Sequence, residues 1–190
     1  MLETHRNFIS PEGALLDELQ NTYDVIFVVA GTNKTVHDDP QQDKRVGAPA
    51  DSINAVVVNA VSSLREPASY SRSGPVLSFF KKPDVACFGG DSDDPIAVYS
   101  SSGLTLSQGT SFAAPCIARK LAFLIQVMGM SRQAAKALLI DSATGWRQSD
   151  HALQLGYGIV PTRINDILQT ASNGIRFVIE GITHGFETYN

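Results

Sequence analysis

No apolar run in this sequence reaches the length of a membrane span, so a helical membrane protein is not expected. Cysteine is scarce. Cys87 and Cys116 are the whole complement, which excludes a disulfide scaffold by number. Two free, buried thiols are the simplest reading, and it leans towards a reducing, cytoplasmic compartment. The opening MLETHRNFIS lacks the apolar core of a signal peptide. Charged residues make up only 18%, and no basic patch or run of one sign stands out. Nucleic acid and anionic membrane are therefore not expected as partners. Internal repeats, low-complexity tracts, a phosphate-binding loop and Cys/His metal spacing are absent too.

What is present suits one domain with a real core: 190 residues, 43% of them hydrophobic, with a net charge of −4. Ser10 and Pro11 read as an N-cap and first helical residue, and Leu15, Leu16, Leu19 and Tyr23 follow at amphipathic-helix spacing. Val25 to Ala30 is an unbroken apolar run, the mark of a strand buried on both faces of a parallel sheet. AVVVNAV, 55 to 61, reads as a second such strand, and KPDVACFGG holds another short apolar stretch. A hairpin is predicted with strands near 96–100 and 104–107. A nearly wholly buried helix is predicted from Ser111 to a stop at Gly129, then a third capped by Ser131, with Ala134, Ala135, Leu138 and Leu139 on one face. RINDIL suggests a short helix, and the segment from Ile175 a strand. The fold class is α/β: a mostly parallel sheet flanked by helices.

GTSFAAP, 109 to 115, is the most informative stretch. It places Ser111 where a helix begins, so that unpaired N–H groups and the helix dipole face whatever approaches its oxygen. Gly109 permits a sharp turn and keeps the space open. Ala113 and Ala114 stay out of the way, and Pro115 loses nothing in the first turn. This is the geometry of an acyl-transfer nucleophile. No G-x-S-x-G elbow occurs, which disfavours an α/β-hydrolase.

The heptapeptide resembles the G-T-S-x-A-A-P signature around the nucleophile of subtilisin-like serine proteases (subtilases, peptidase S8 family). Other segments match in the same order. VIFVVAGTN is similar to the family's strand ending in A-A-G-N, with Thr32 where a glycine is usual. VGAPADSINAVVVNAV, 46 to 61, resembles the segment that lines the primary specificity pocket. YSRSGP and KPDVACFG resemble S-x-x-G-P and K-P-D-[VL]-x-A-P-G, with Cys87-Phe88 in place of Ala-Pro. SRQAAKALLIDSAT and GYGIVP look like the helix and turn that follow. The resemblance spans about residues 10 to 170 and implies a three-layer fold. It implies that Ser111 attacks a peptide carbonyl while Asn33 and the Ser111 N–H hold the oxyanion. It further implies that Ala30, Gly31, Thr32 and Gly47 bind substrate, that the Ala48–Pro49 bond is cis, and that the Gly47 pocket takes a large apolar side chain.

The family's other motifs, D-[ST]-G and H-G-T-H, do not occur. His5, His37, His151 and His184 all lie outside any H-G-T-H context and read as solvated or core histidines. Residues 1–172 are therefore expected to be the C-terminal part of a subtilase catalytic domain, and 173–190 the start of a strand-rich segment or a tail. The functional expectation is a serine endopeptidase whose nucleophile and oxyanion Asn lie here and whose Asp and His come from a missing N-terminal half. This chain alone is then inactive, and self-association through uncovered apolar surface is expected. The alternative is a non-catalytic subtilase-like binding or assembly module. No cofactor is expected. Calcium on Asp91, Asp93 and Asp94 is a weaker option than a solvated acidic loop. The sequon NKT at 33 to 35 is read as unused, since a glycan on Asn33 would block the site.

Overall fold

The computed structural model describes residues 7–35, 44–145, 151–170 and 172–181. Its first helix, α1 (Pro11–Tyr23), starts as the sequence requires: the Ser10 hydroxyl accepts from the Gly13 N–H at 3.0 Å. Its buried face is not the leucine face. Gly13 and Gln20 are buried, whereas Leu15 and Tyr23 are exposed. The helix docks through polar contacts that the apolar pattern does not encode. Asp51 accepts from both the N–H and the hydroxyl of Ser10. Asp17 accepts from Ser52, Ile53 and Asn54, and Gln20 Oε1 accepts from the Phe27 N–H at 2.7 Å. A Cβ on Gly13 would lie 2.5 Å from Asp51 Oδ1, so this close approach needs a glycine.

Three strands form the parallel sheet: β1 (Val28–Ala30), β2 (Val56–Val61) and β3 (Val85–Phe88), with β2 in the middle. The alternation along β2 assigns its faces. Val56, Val58 and Ala60 join the main core, whereas Val57 packs with Val46, Ala50 and Val76, and Val61 with Ala86, Leu155 and Ile159. β2 is buried throughout, as its apolar run predicts. β1 departs from the expectation for Val25–Ala30. The strand proper is shorter, is half-buried, and stands at the sheet edge among the described residues. Ile159 extends the other side by a bridge to Ala86.

The hairpin forms as β4 (Ile96–Ser100) and β5 (Gly103–Ser107), which among the described residues pair only with each other, with Tyr99, Leu104 and Leu106 exposed. α2 (Thr110–Ala122) crosses all three sheet strands and continues into a π-helical turn at Phe123–Val127. One face, Ala113, Ala114, Ile117 and Leu121, is buried. The opposite face is not, which corrects the nearly wholly buried helix: Pro115, Cys116 and Arg119 are exposed. The expectation of two buried thiols is corrected with it, since Cys87 is buried and Cys116 exposed. α3 (Arg132–Ser142) is capped by Ser131 on the Ala134 N–H and buries Ala134, Ala135, Leu138 and Leu139 as predicted. The short α4 (Ala152–Leu155) and α5 (Ile164–Leu168) follow. Residues 175–181 carry no strand, so the strand expected from Ile175 does not form within the described residues. Without a ladder partner, the exposed side chains of Ile175, Phe177 and Ile179 supply nothing to hold one.

Candidate active site

β1 ends at Ala30, and the next three residues turn towards the start of α2. Gly31 keeps the sheet bond, donating to the Val58 carbonyl at 2.8 Å. It must be glycine, because a Cβ there would lie 1.9 Å from Asn59 Oδ1. Thr32 stands in the left-handed region at φ 68°. For a β-branched residue this conformation is disfavoured by about 1–2 kcal/mol. Two contacts of its hydroxyl offset the strain: it donates to the Gly31 carbonyl at 2.6 Å and accepts from the Gly47 N–H at 3.4 Å. The threonine in the glycine position thus ties the β1 end to the segment around Gly47. Gly47 is buried, and its carbonyl accepts from Ala50 at 2.8 Å. The Ala48–Pro49 bond is cis as expected, and so are Gly74–Pro75 and Lys82–Pro83.

Asn33 is exposed, and both ends of it are held. Its backbone carbonyl accepts from Arg72 Nε at 3.1 Å. Its side-chain Oδ1 accepts from the Thr110 N–H at 3.2 Å and from the Thr110 hydroxyl at 2.8 Å. A backbone N–H can only donate, so these bonds fix which end of the amide is oxygen. They leave the Nδ2 donors free to serve another acceptor. A Cβ on Gly109 would lie 3.3 Å from that nitrogen, so glycine keeps the space beside it open. Gly109 is the N-cap of α2, Thr110 is its first residue, and exposed Ser111 is its second. The Ser111 hydroxyl and N–H therefore sit one residue from the group that orients Asn33.

Behind this turn, the Tyr70 hydroxyl donates towards the Gly89 and Gly90 carbonyls at 3.2 and 2.8 Å, and the Gly109 N–H donates to the Gly89 carbonyl at 3.0 Å. Burial, with the Asp91 charge nearby, pushes the Tyr70 phenol up to about 12, so it stays a neutral donor. Arg72 is almost fully buried beneath Asn33, and Asn59 Nδ2 donates to the Arg72 and Gln154 carbonyls.

Thr110, Arg72 and Asn59 are the supporting residues that sequence reading left without a role. Arg72 lay inside the quoted YSRSGP element. A charged residue between two serines in a turn-rich segment gives no sign of burial.

His151 stands just before α4, while His5, His37 and His184 lie outside the described residues. Asp91 accepts from Ser69 and Ser92, and Asp94 from Ser63 at 2.6 Å. Burial would raise the Asp91 carboxyl, but the Ser69 and Ser92 bonds outweigh it and hold it below the usual range. These carboxylates brace the loop. Among the described residues no group of three or more His, Cys, Asp or Glu is placed to hold a metal ion.

A parallel sheet with helices packed on it defines an α/β fold, and it brings Asn33 into contact with Thr110 at the N-terminus of α2, next to the exposed Ser111. The chain belongs to the subtilase family (peptidase S8), whose model matches residues 5–160. Solved structures share the fold. The prenylagaramide maturation protease PagA is 22% identical with a TM-score of 0.62, over 80% of this chain and 52% of that one. The patellamide maturation protease PatA is 20% identical with a TM-score of 0.65, over 88% and 59%. The epidermin leader peptide processing serine protease EpiP of Staphylococcus aureus is 20% identical with a TM-score of 0.63, over 83% and 45%. The chain spans about half the length of these structures. A search of curated proteins finds no significant match.

Proposed function

We propose that this chain carries the nucleophile and oxyanion side of a serine endopeptidase site. Ser111 is the nucleophile. Its own N–H and the Asn33 amide hold the oxyanion, and Ala30, Gly31, Thr32 and Gly47 bind a polypeptide substrate. The observation that carries the reading is the Thr110–Asn33 pair. It fixes the amide with its donors uncommitted beside an exposed serine, and preorganised donors of this kind are where electrostatic catalysis is gained. A serine hydroxyl needs a base within hydrogen-bond reach. The histidine and aspartate come, in this reading, from sequence preceding the matched motifs, and residues 1–190 alone do not turn over peptide.

The test is casein hydrolysis by residues 1–190, and by the same chain extended by whatever its reading frame encodes upstream. The expected result is no turnover by the first, turnover by the second, loss of that turnover in Ser111→Ala, and a drop of about 10²–10³ in kcat in Asn33→Ala. That last size is the one known for a subtilisin asparagine, a member of this same family. Turnover that survives Ser111→Ala would overturn the reading.

A second reading, a non-catalytic subtilase-like module, draws on Thr32 and Cys87-Phe88 standing where the family pattern has glycine and Ala-Pro. It predicts an inert extended chain that still binds unfolded polypeptide.

A further inference from the structure

Cys87 and Cys116 come from different elements and meet in one place. Cys87 lies on β3, where it belongs to the main core with Ala113, Ala114 and Ile117 of α2. Cys116 lies on the second turn of α2, and α2 packs directly on β3. Its thiol donates to the Phe112 carbonyl at 3.6 Å. Both residues line one mainly apolar groove of about 790 Å³, together with Phe88, Arg119, Lys120 and Phe123. The two thiols differ in access, since Cys87 is buried and Cys116 exposed. Burial, reinforced by the neighbouring Cys116, pushes the Cys87 thiol up to about 11, so it remains a protonated thiol at neutral pH. Neither residue takes part in the candidate active site.

We propose that Cys87 and Cys116 are a redox-labile pair, open to a small disulfide oxidant through the groove and closing to a single disulfide between β3 and α2. The exposed Cys116 reacts first. Its thiolate attacks one sulfur of an oxidant RSSR, forming a mixed disulfide and releasing one RS⁻. The Cys87 thiol then loses its proton to solvent. Its sulfur attacks the Cys116 sulfur of the mixed disulfide and expels the second RS⁻. Two protein thiols are oxidised and one RSSR is reduced to two RSH. The Arg119 and Lys120 side chains along the groove favour an anionic oxidant such as oxidised glutathione. The link would lie little more than one turn along α2 from Ser111, on the helix that also holds Thr110 against Asn33. A reducing compartment would keep the pair open.

The experiment is intact-mass and peptide mapping of residues 1–190 after incubation with oxidised glutathione under native conditions. The expected product has lost two hydrogen masses, yields one cross-linked peptide pair joining Cys87 to Cys116, and reverts with dithiothreitol. Cys87→Ser and Cys87→Ala should each accumulate a stable glutathione adduct on Cys116. Cys116→Ser should take up adduct on Cys87 at least about tenfold more slowly, as expected of a buried thiol. A wild-type chain that keeps the glutathione adduct without closing, or that links only between molecules through Cys116, overturns the proposal.

Discussion

β2 and β1 lie side by side in one parallel sheet and both come from apolar stretches, that of β2 interrupted by Asn59, yet β2 is buried at every position and β1 is half-buried. Composition does not separate them; position in the sheet does. β2 has a strand on each side and packing on both faces. β1 has one strand neighbour among the described residues. The polar anchors differ in the same way. Asp84 accepts from the Val57 N–H at 2.7 Å and from the buried Lys82 ammonium at 2.6 Å, with Lys136 at 3.8 Å. Burial lowers the Lys82 pKa against the pull of Asp84, and the pair is enclosed on both sides. Just before β1, the Phe27 N–H donates to Gln20 Oε1 at 2.7 Å, and the partly exposed Arg132 donates to the Val25 carbonyl at 2.9 Å.

Perturbing those anchors should therefore give graded effects. Asp84→Ala leaves Lys82 buried without its carboxylate and should cost about 3–5 kcal/mol in urea unfolding. A loss below about 1 kcal/mol would mean that the pair does not anchor β2. Val58→Ala, in the main core, should cost about 2–3 kcal/mol, against under about 1 kcal/mol for Val28→Ala on β1. Equal losses would erase the contrast between centre and edge. Gln20→Ala strands the Phe27 N–H and should cost about 1–2 kcal/mol. The smallest change runs the other way. Thr32→Gly relieves the left-handed strain but loses two hydroxyl contacts and admits unfolded-state freedom, so its net effect should stay within about 1 kcal/mol of zero. A loss of several kcal/mol would make the Thr32–Gly47 tie a major support.

The graded burial also marks where sequence reading works. β2, α3, the hairpin and the capped start of α1 were legible because each is set by local pattern: an apolar run, a helical stripe, a turn, a cap. The docking face of α1 was not, because Asp17, Gln20 and Gly13 bind through hydrogen bonds and close approach, while hydropathy pointed to Leu15 and Tyr23. The exposure of Cys116 was missed for a related reason: small apolar residues all round α2 hid which side faces the sheet. At the site, GTSFAAP and AGTN pointed to Ser111 and Asn33. The clasp between Asn33 and Thr110, and the buried Arg72 beneath it, join residues far apart in the chain, and no local pattern encodes them.

The placement of Ser111 beside the Asn33 amide is the central claim, and adduct mapping tests it most directly. The chain, extended by its upstream reading frame, is treated with a fluorophosphonate, and the modified residue and the position of the phosphonyl oxygen are determined. The account predicts one adduct, on Ser111, with that oxygen about 3 Å from both the Asn33 amide nitrogen and the Ser111 N–H. An adduct on another residue, or a Ser111 adduct whose oxygen lies more than about 10 Å from the Asn33 amide, would contradict it.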